Sequence, residues 1–103
     1  MNSYGPGSQV KLEADFKTEA GVLTNPTTVT VKVSKNFVDG LLVDTTSVTN
    51  PSTGHFVYYY QITNTDEAEG VYFYRFEGAG GLVATPERDG AFIVTNSQVL
   101  DAA

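Results

Sequence analysis

The feature that most constrains this fold is a side-chain alternation of period two. Between Thr27 and Val33 every residue except Lys32 is β-branched, and Val29, Val31 and Val33 alternate with Thr28, Thr30 and Lys32. Branching at Cβ restricts rotamers in a helix and suits a pleated, half-buried strand. Asn25-Pro26 immediately before the run is a turn signal that marks its start. The same alternation recurs along the chain. Val10, Leu12, Ala14 and Phe16 oppose Lys11, Glu13, Asp15 and Lys17, which predicts a strand with one buried and one solvated face. Phe56, Tyr58, Tyr60 and Ile62 alternate with His55, Val57, Tyr59 and Gln61, and Tyr72, Tyr74 and Phe76 with Val71, Phe73, Arg75 and Glu77.

Turn chemistry separates these runs. Glu19-Ala20-Gly21 reverses the chain, and Asp39-Gly40 predicts a tight hairpin between two short strands, the second beginning at Leu41. Pro51 and Gly54 predict a loop, and Gly78-Ala79-Gly80-Gly81 a flexible hairpin into a strand over Leu82–Thr85. Pro86 to Gly90 is expected to break that strand before it resumes over Ala91–Thr95. No stretch has a useful helical period. About seven short strands separated by turns predict an all-β, immunoglobulin-like antiparallel β-sandwich. Its expected core is Val10, Leu12, Phe16, Val29, Val31, Val33, Phe56, Tyr58, Tyr72, Tyr74, Phe92 and Val94. The expected organisation is a flexible N-terminal arm over residues 1–8, rich in Gly, Pro and Ser, a domain over 9–96 and a short tail over 97–103.

With 103 residues the chain suits one domain with one core. It has no cysteine, which excludes a disulfide and a thiolate metal site. A formal charge of −6 repels phosphate backbones, so nucleic acid is not an expected partner. No basic patch predicts membrane attachment, and no apolar run approaches the length of a span. The opening residues show neither the basic start nor the apolar stretch of a secretory signal. The expectation is a protein made and kept in the cytoplasm.

Catalytic chemistry finds little to work with. His55 is the one histidine and has no cysteine to join it, which makes a poor metal site and no triad. Asp66, Glu67 and Glu69 share one acidic connection. They lack the repeating ligand pattern of a calcium loop, and calcium or plain solvated charge are both open there. Gly78 to Gly81 has neither the Lys nor the helix of a phosphate loop. No catalytic, cofactor-binding or metal-ligating residue is assigned, and the chain is expected not to be an enzyme. Candidate partner contacts are the aromatics Phe37, His55 and Tyr59 and the arm over residues 1–8, with Arg75 as a cation inside an aromatic strand.

Two resemblances sharpen these expectations. Ala68-Glu69-Gly70-Val71-Tyr72-Phe73-Tyr74 resembles the tyrosine corner of immunoglobulin-like domains. There a Tyr at the start of the penultimate strand bonds back to the preceding connection, so Tyr72 is the structural corner and Tyr74 stands where antibody domains carry Cys. More narrowly, Pro26-Thr27-Thr28-Val29-Thr30-Val31-Lys32-Val33 is similar to the "PTTVT" strand of small tailed-phage proteins. Gly70-Val71-Tyr72-Phe73-Tyr74-Arg75-Phe76-Glu77-Gly78 resembles their "G-x-Y-x-Y-R-F/W-E-G" stretch, and Gly90-Ala91-Phe92-Ile93-Val94 their closing "G-x-F-x-V" strand. Such proteins are virion components. The resemblance therefore implies a non-catalytic structural protein, docked in several copies on the capsid as a decoration or on the head–tail connector. The alternative expectation is an adhesive or carbohydrate-binding module of a bacterial surface protein.

Overall fold

The computed structural model describes residues 2–36, 38–81, 83 and 87–95. Among the described residues there are eight strands: β1 Asn2–Tyr4, β2 Gln9–Asp15, β3 Thr28–Lys35, β4 Val43–Thr45, β5 Thr49–Ser52, β6 His55–Gln61, β7 Gly70–Ala79 and β8 Glu87–Val94. A single 3-10 turn, Asp66–Ala68, joins β6 to β7. The strands form two sheets, ordered β1-β8-β7-β3-β4 and β2-β6-β5. This is the immunoglobulin arrangement: β2, β6 and β5 take the places of strands B, E and D, and β3, β7 and β8 those of C, F and G, with β4 beside C. The first strand differs from the constant-domain pattern. Instead of lying beside β2 it runs parallel to β8, pairing Asn2 with Phe92 and Tyr4 with Val94.

The core forms where the inner faces meet. Val10, Leu12, Ala14, Phe16, Phe56 and Ile62 are buried against Val29, Val31, Val33, Tyr72, Phe76, Phe92 and Val94. Tyr72 and Phe92 stack with centroids 5.0 Å apart, and Tyr60 from the opposite sheet lies 6.0 Å from one ring and 6.1 Å from the other. Phe16 meets Phe56 edge-to-face at 5.7 Å. Each such aromatic pair adds about 0.5–1.5 kcal/mol beyond its buried area, so the stacked centre helps a cysteine-free sandwich hold. The Tyr72 hydroxyl donates to the Ala68 carbonyl at 2.6 Å, which is the tyrosine-corner bond. Lys35 clamps the same corner, donating to the Glu67 carbonyl with its Nζ 5.5 Å above the Tyr72 ring.

Several expectations need correction. Within the expected arm, Asn2–Tyr4 is a strand: β1 docks on β8, and Tyr4 packs edge-to-face on Phe92 at 5.9 Å. A parallel partner ninety residues away leaves no local signature beside the Gly and Pro that suggested a flexible segment. Asp39-Gly40 does not close a tight hairpin, because β3 and β4 are joined by a longer loop and β4 starts only at Val43. Thr49–Ser52 is a strand despite Pro51, which an edge position tolerates. β8 runs unbroken through Gly90. That glycine is required by packing: a Cβ there would overlap the Tyr74 ring on the neighbouring strand. Gly78 is constrained alike, since a Cβ would lie 2.8 Å from both Phe16 and Pro26. Tyr74 and Tyr58 are half-buried rather than fully buried. For Tyr74 the reason is that β1 covers only Phe92–Val94, leaving the stretch beside Gly90 open. Of the predicted strand Leu82–Thr85, only Val83 lies within the described residues, and the tail over 97–103 lies outside them.

Candidate partner-binding surfaces

The outer face of the larger sheet carries a charge row set by register. Asp44 pairs with Lys32, Lys32 with Arg75 and Arg75 with Asp89, across four strands. Arg75 grips Asp89 with two hydrogen bonds, Nε to Oδ1 at 2.6 Å and Nη2 to Oδ2 at 3.2 Å. Its Nη1 also lies 3.3 Å from Glu87 and 3.9 Å from Glu77. Lys32 Nζ meets Glu77 at 2.8 Å. The hydrogen bond to Asp89 raises the Arg75 pKa above its ordinary value, and the reciprocal bond lowers that of Asp89. Hydrogen bonding to Glu77 raises Lys32 in the same way. Exposed pairs of this kind add little stability, but a network fixes where its charges point.

An apolar area adjoins this row. Phe73 shares the outward side of β7 with Arg75 and is 45% exposed, and Leu41 from the β3–β4 loop is 50% exposed. The two border a shallow depression of about 490 Å³ that also touches Lys32, Arg75 and Asp89. Val38 and Leu42 in the same loop are exposed as well. An aromatic and aliphatic centre flanked by ordered charge is the anatomy of a protein contact surface.

The predicted contact residues do not converge. His55 and Tyr59 lie on the outer face of β2-β6-β5, Arg75 lies on the outer face of the other sheet, and Phe37 lies outside the described residues. Tyr59 is half-exposed. His55 is engaged within the domain, with Nδ1 2.6 Å from Asp15 and Nε2 3.2 Å from Glu13. The hydrogen bond to Asp15 raises its pKa above the ordinary value. Val57, between His55 and Tyr59, is buried because Glu13 and Thr49 flank it on the two neighbouring strands. The alternation already set Phe73 beside Arg75 and Glu77, and a large apolar residue on a charged face was the signal for this surface. The contribution of Leu41 depends on the long β3–β4 loop and had no such signal.

In the acidic connection, Asp66–Ala68 forms the 3-10 turn of the corner. Among the described residues, no group of three His, Cys, Asp or Glu side chains is placed to hold a metal ion. Among them, too, no helix is long and apolar enough to cross a membrane. No protein-family model matches the chain, and no curated protein matches it as a relative.

Proposed function

We propose that this protein is a non-catalytic structural component of a tailed-phage virion, assembled in the bacterial cytoplasm and docked on the capsid or head–tail assembly. One observation carries the reading. The three segments that resemble small phage virion proteins become the adjacent strands β3, β7 and β8 of one sheet. That sheet presents Phe73 and the Lys32–Arg75–Asp89 row to solvent. The docking face is therefore this outer face, with Phe73 and Leu41 as the apolar centre and Arg75 held ready by Asp89. Many copies on a repeating shell convert a weak single contact into firm attachment.

The test is co-sedimentation of purified protein with phage particles lacking it, comparing wild type with Phe73→Ser. Half-exposed Phe73 can be replaced with a stability change of about 0.5–1 kcal/mol. The proposal expects wild type to pellet with particles and the variant to stay in the supernatant. Equal pelleting would move the contact off this face. Failure of wild type to pellet, with binding to glycans or bacterial cells instead, would establish the adhesive alternative.

A further inference from the structure

The edge of the smaller sheet points to a second contact, independent of the docking reading. In an immunoglobulin constant sheet a first strand lies beside the second. Here β1 has crossed to β8, so no described residue pairs with the outer side of β2. The unpaired groups can be identified. Phe16 N–H donates to the Gly54 carbonyl and Ile62 N–H to the Ser8 carbonyl, at the two ends of the β2–β6 ladder. Hydrogen-bonded pairs alternate along an antiparallel ladder. Val10, Leu12 and Ala14 therefore turn their backbone groups toward β6, and Lys11, Glu13 and Asp15 turn theirs outward. A groove of about 320 Å³ opens at the latter half of this edge, lined by Glu13–Asp15, by His55 of β6 and by Arg88–Asp89 of β8.

The other three edge strands are blunted against pairing. β1 and β4 have three residues each, and β5 carries Pro51 and a break in register. β2 has seven residues with no Pro and no bulge. An exposed edge of that kind is a template for another strand.

The charges on β2 select the occupant. A second copy of β2, antiparallel and with Leu12 on a two-fold axis, pairs the whole strand. It sets Lys11 opposite the second copy's Glu13, Glu13 opposite its Lys11, and Gln9 opposite its Asp15. The outward-turned backbone groups then meet their counterparts, each hydrogen-bonded pair exchanging two bonds. Sliding the copy to centre on Lys11 opposes that lysine to itself, and centring on Glu13 opposes the two glutamates. Among such registers that pair five or more residues of the strand, only the full-length one avoids like charges. We infer that two copies of this chain associate through β2, edge to edge, in a continuous six-stranded sheet ordered β5-β6-β2-β2-β6-β5. The contact is isologous, as two-fold dimers require.

The experiment is sedimentation equilibrium of the full chain, with amide hydrogen exchange followed by NMR across a concentration series. Wild type is expected to self-associate. The Lys11, Glu13 and Asp15 amides should exchange quickly when dilute and gain protection with concentration, while Val10, Leu12 and Ala14 stay protected throughout. Lys11→Glu sets like charges opposite each other twice and should weaken association by at least about tenfold. The double variant Lys11→Glu/Glu13→Lys restores opposite charges and should regain it. Both side chains are about half exposed, so the variants keep the fold, checked by circular dichroism. The inference is overturned by a wild type that stays monomeric to about 1 mM. It is equally overturned by a Lys11→Glu variant that associates like wild type, a double variant that fails to recover, or edge amides already protected in the dilute monomer.

Discussion

Replacing Tyr72 by Phe isolates one hydrogen bond. The ring remains, so the stack on Phe92 at 5.0 Å and the contact with Tyr60 at 6.0 Å are kept. What is lost is the hydroxyl, which donates to the Ala68 carbonyl at 2.6 Å. A typical intramolecular hydrogen bond has a net worth of about 0.5–1.5 kcal/mol. Ala68 is only 4% exposed, so its carbonyl does not readily recruit water in exchange. An acceptor stranded in that way raises the cost, and we expect about 1–2.5 kcal/mol in total. Urea unfolding of the two proteins measures it. With an m-value of about 1–1.5 kcal/mol/M, usual at this size, the midpoint should fall by about 1–2 M with m unchanged. A loss below about 0.5 kcal/mol would contradict a sealed corner, because it would mean that water replaces the hydroxyl there.

Three further outcomes follow from the same contacts. Gly90→Ala should destabilise by about 1–3 kcal/mol by pressing a methyl group on the Tyr74 ring, and its cost should be less than additive with that of Tyr74→Ala; full additivity in urea titrations would place the ring elsewhere. Tyr4→Ala should lower stability by about 1–2 kcal/mol through loss of the edge contact with Phe92, and an unchanged melting temperature would mean that β1 is undocked in solution. His55 titrates above its ordinary value of 6.5 because of Asp15. The folded state thus holds that proton more tightly than the unfolded one, and the stability this lends is complete below pH 6.5 and is lost as pH rises through the raised value. The proton resonance of His55 should show the raised pKa in wild type and a lower one in Asp15→Asn, and equal values would remove the pairing.

The parts of the fold that were legible are those decided by local alternation. β2, β3, β6 and β7 each show one apolar side, and the Gly70–Tyr74 stretch specified the corner through a single aromatic at the start of a strand. What stayed hidden depends on partners distant in the chain. β1 is a strand only because β8 lies beside it, and β5 only because Pro51 faces an unpaired edge. Gly90 looked like a strand break because the ring of Tyr74, which fills its missing side chain, belongs to another strand. The candidate contact surface was hidden for the same reason. Alternation shows that His55 and Tyr59 share a side, and that Phe73 and Arg75 share a side. It does not show which sheet each strand joins, and the sandwich puts these two pairs on opposite faces.

Mass spectrometry of purified particles from cells that make this protein tests the proposed virion role. The intact chain is expected to co-purify with particles through a density gradient, in several copies per virion. Particles free of the chain, with the protein recovered instead from the bacterial surface, would contradict it.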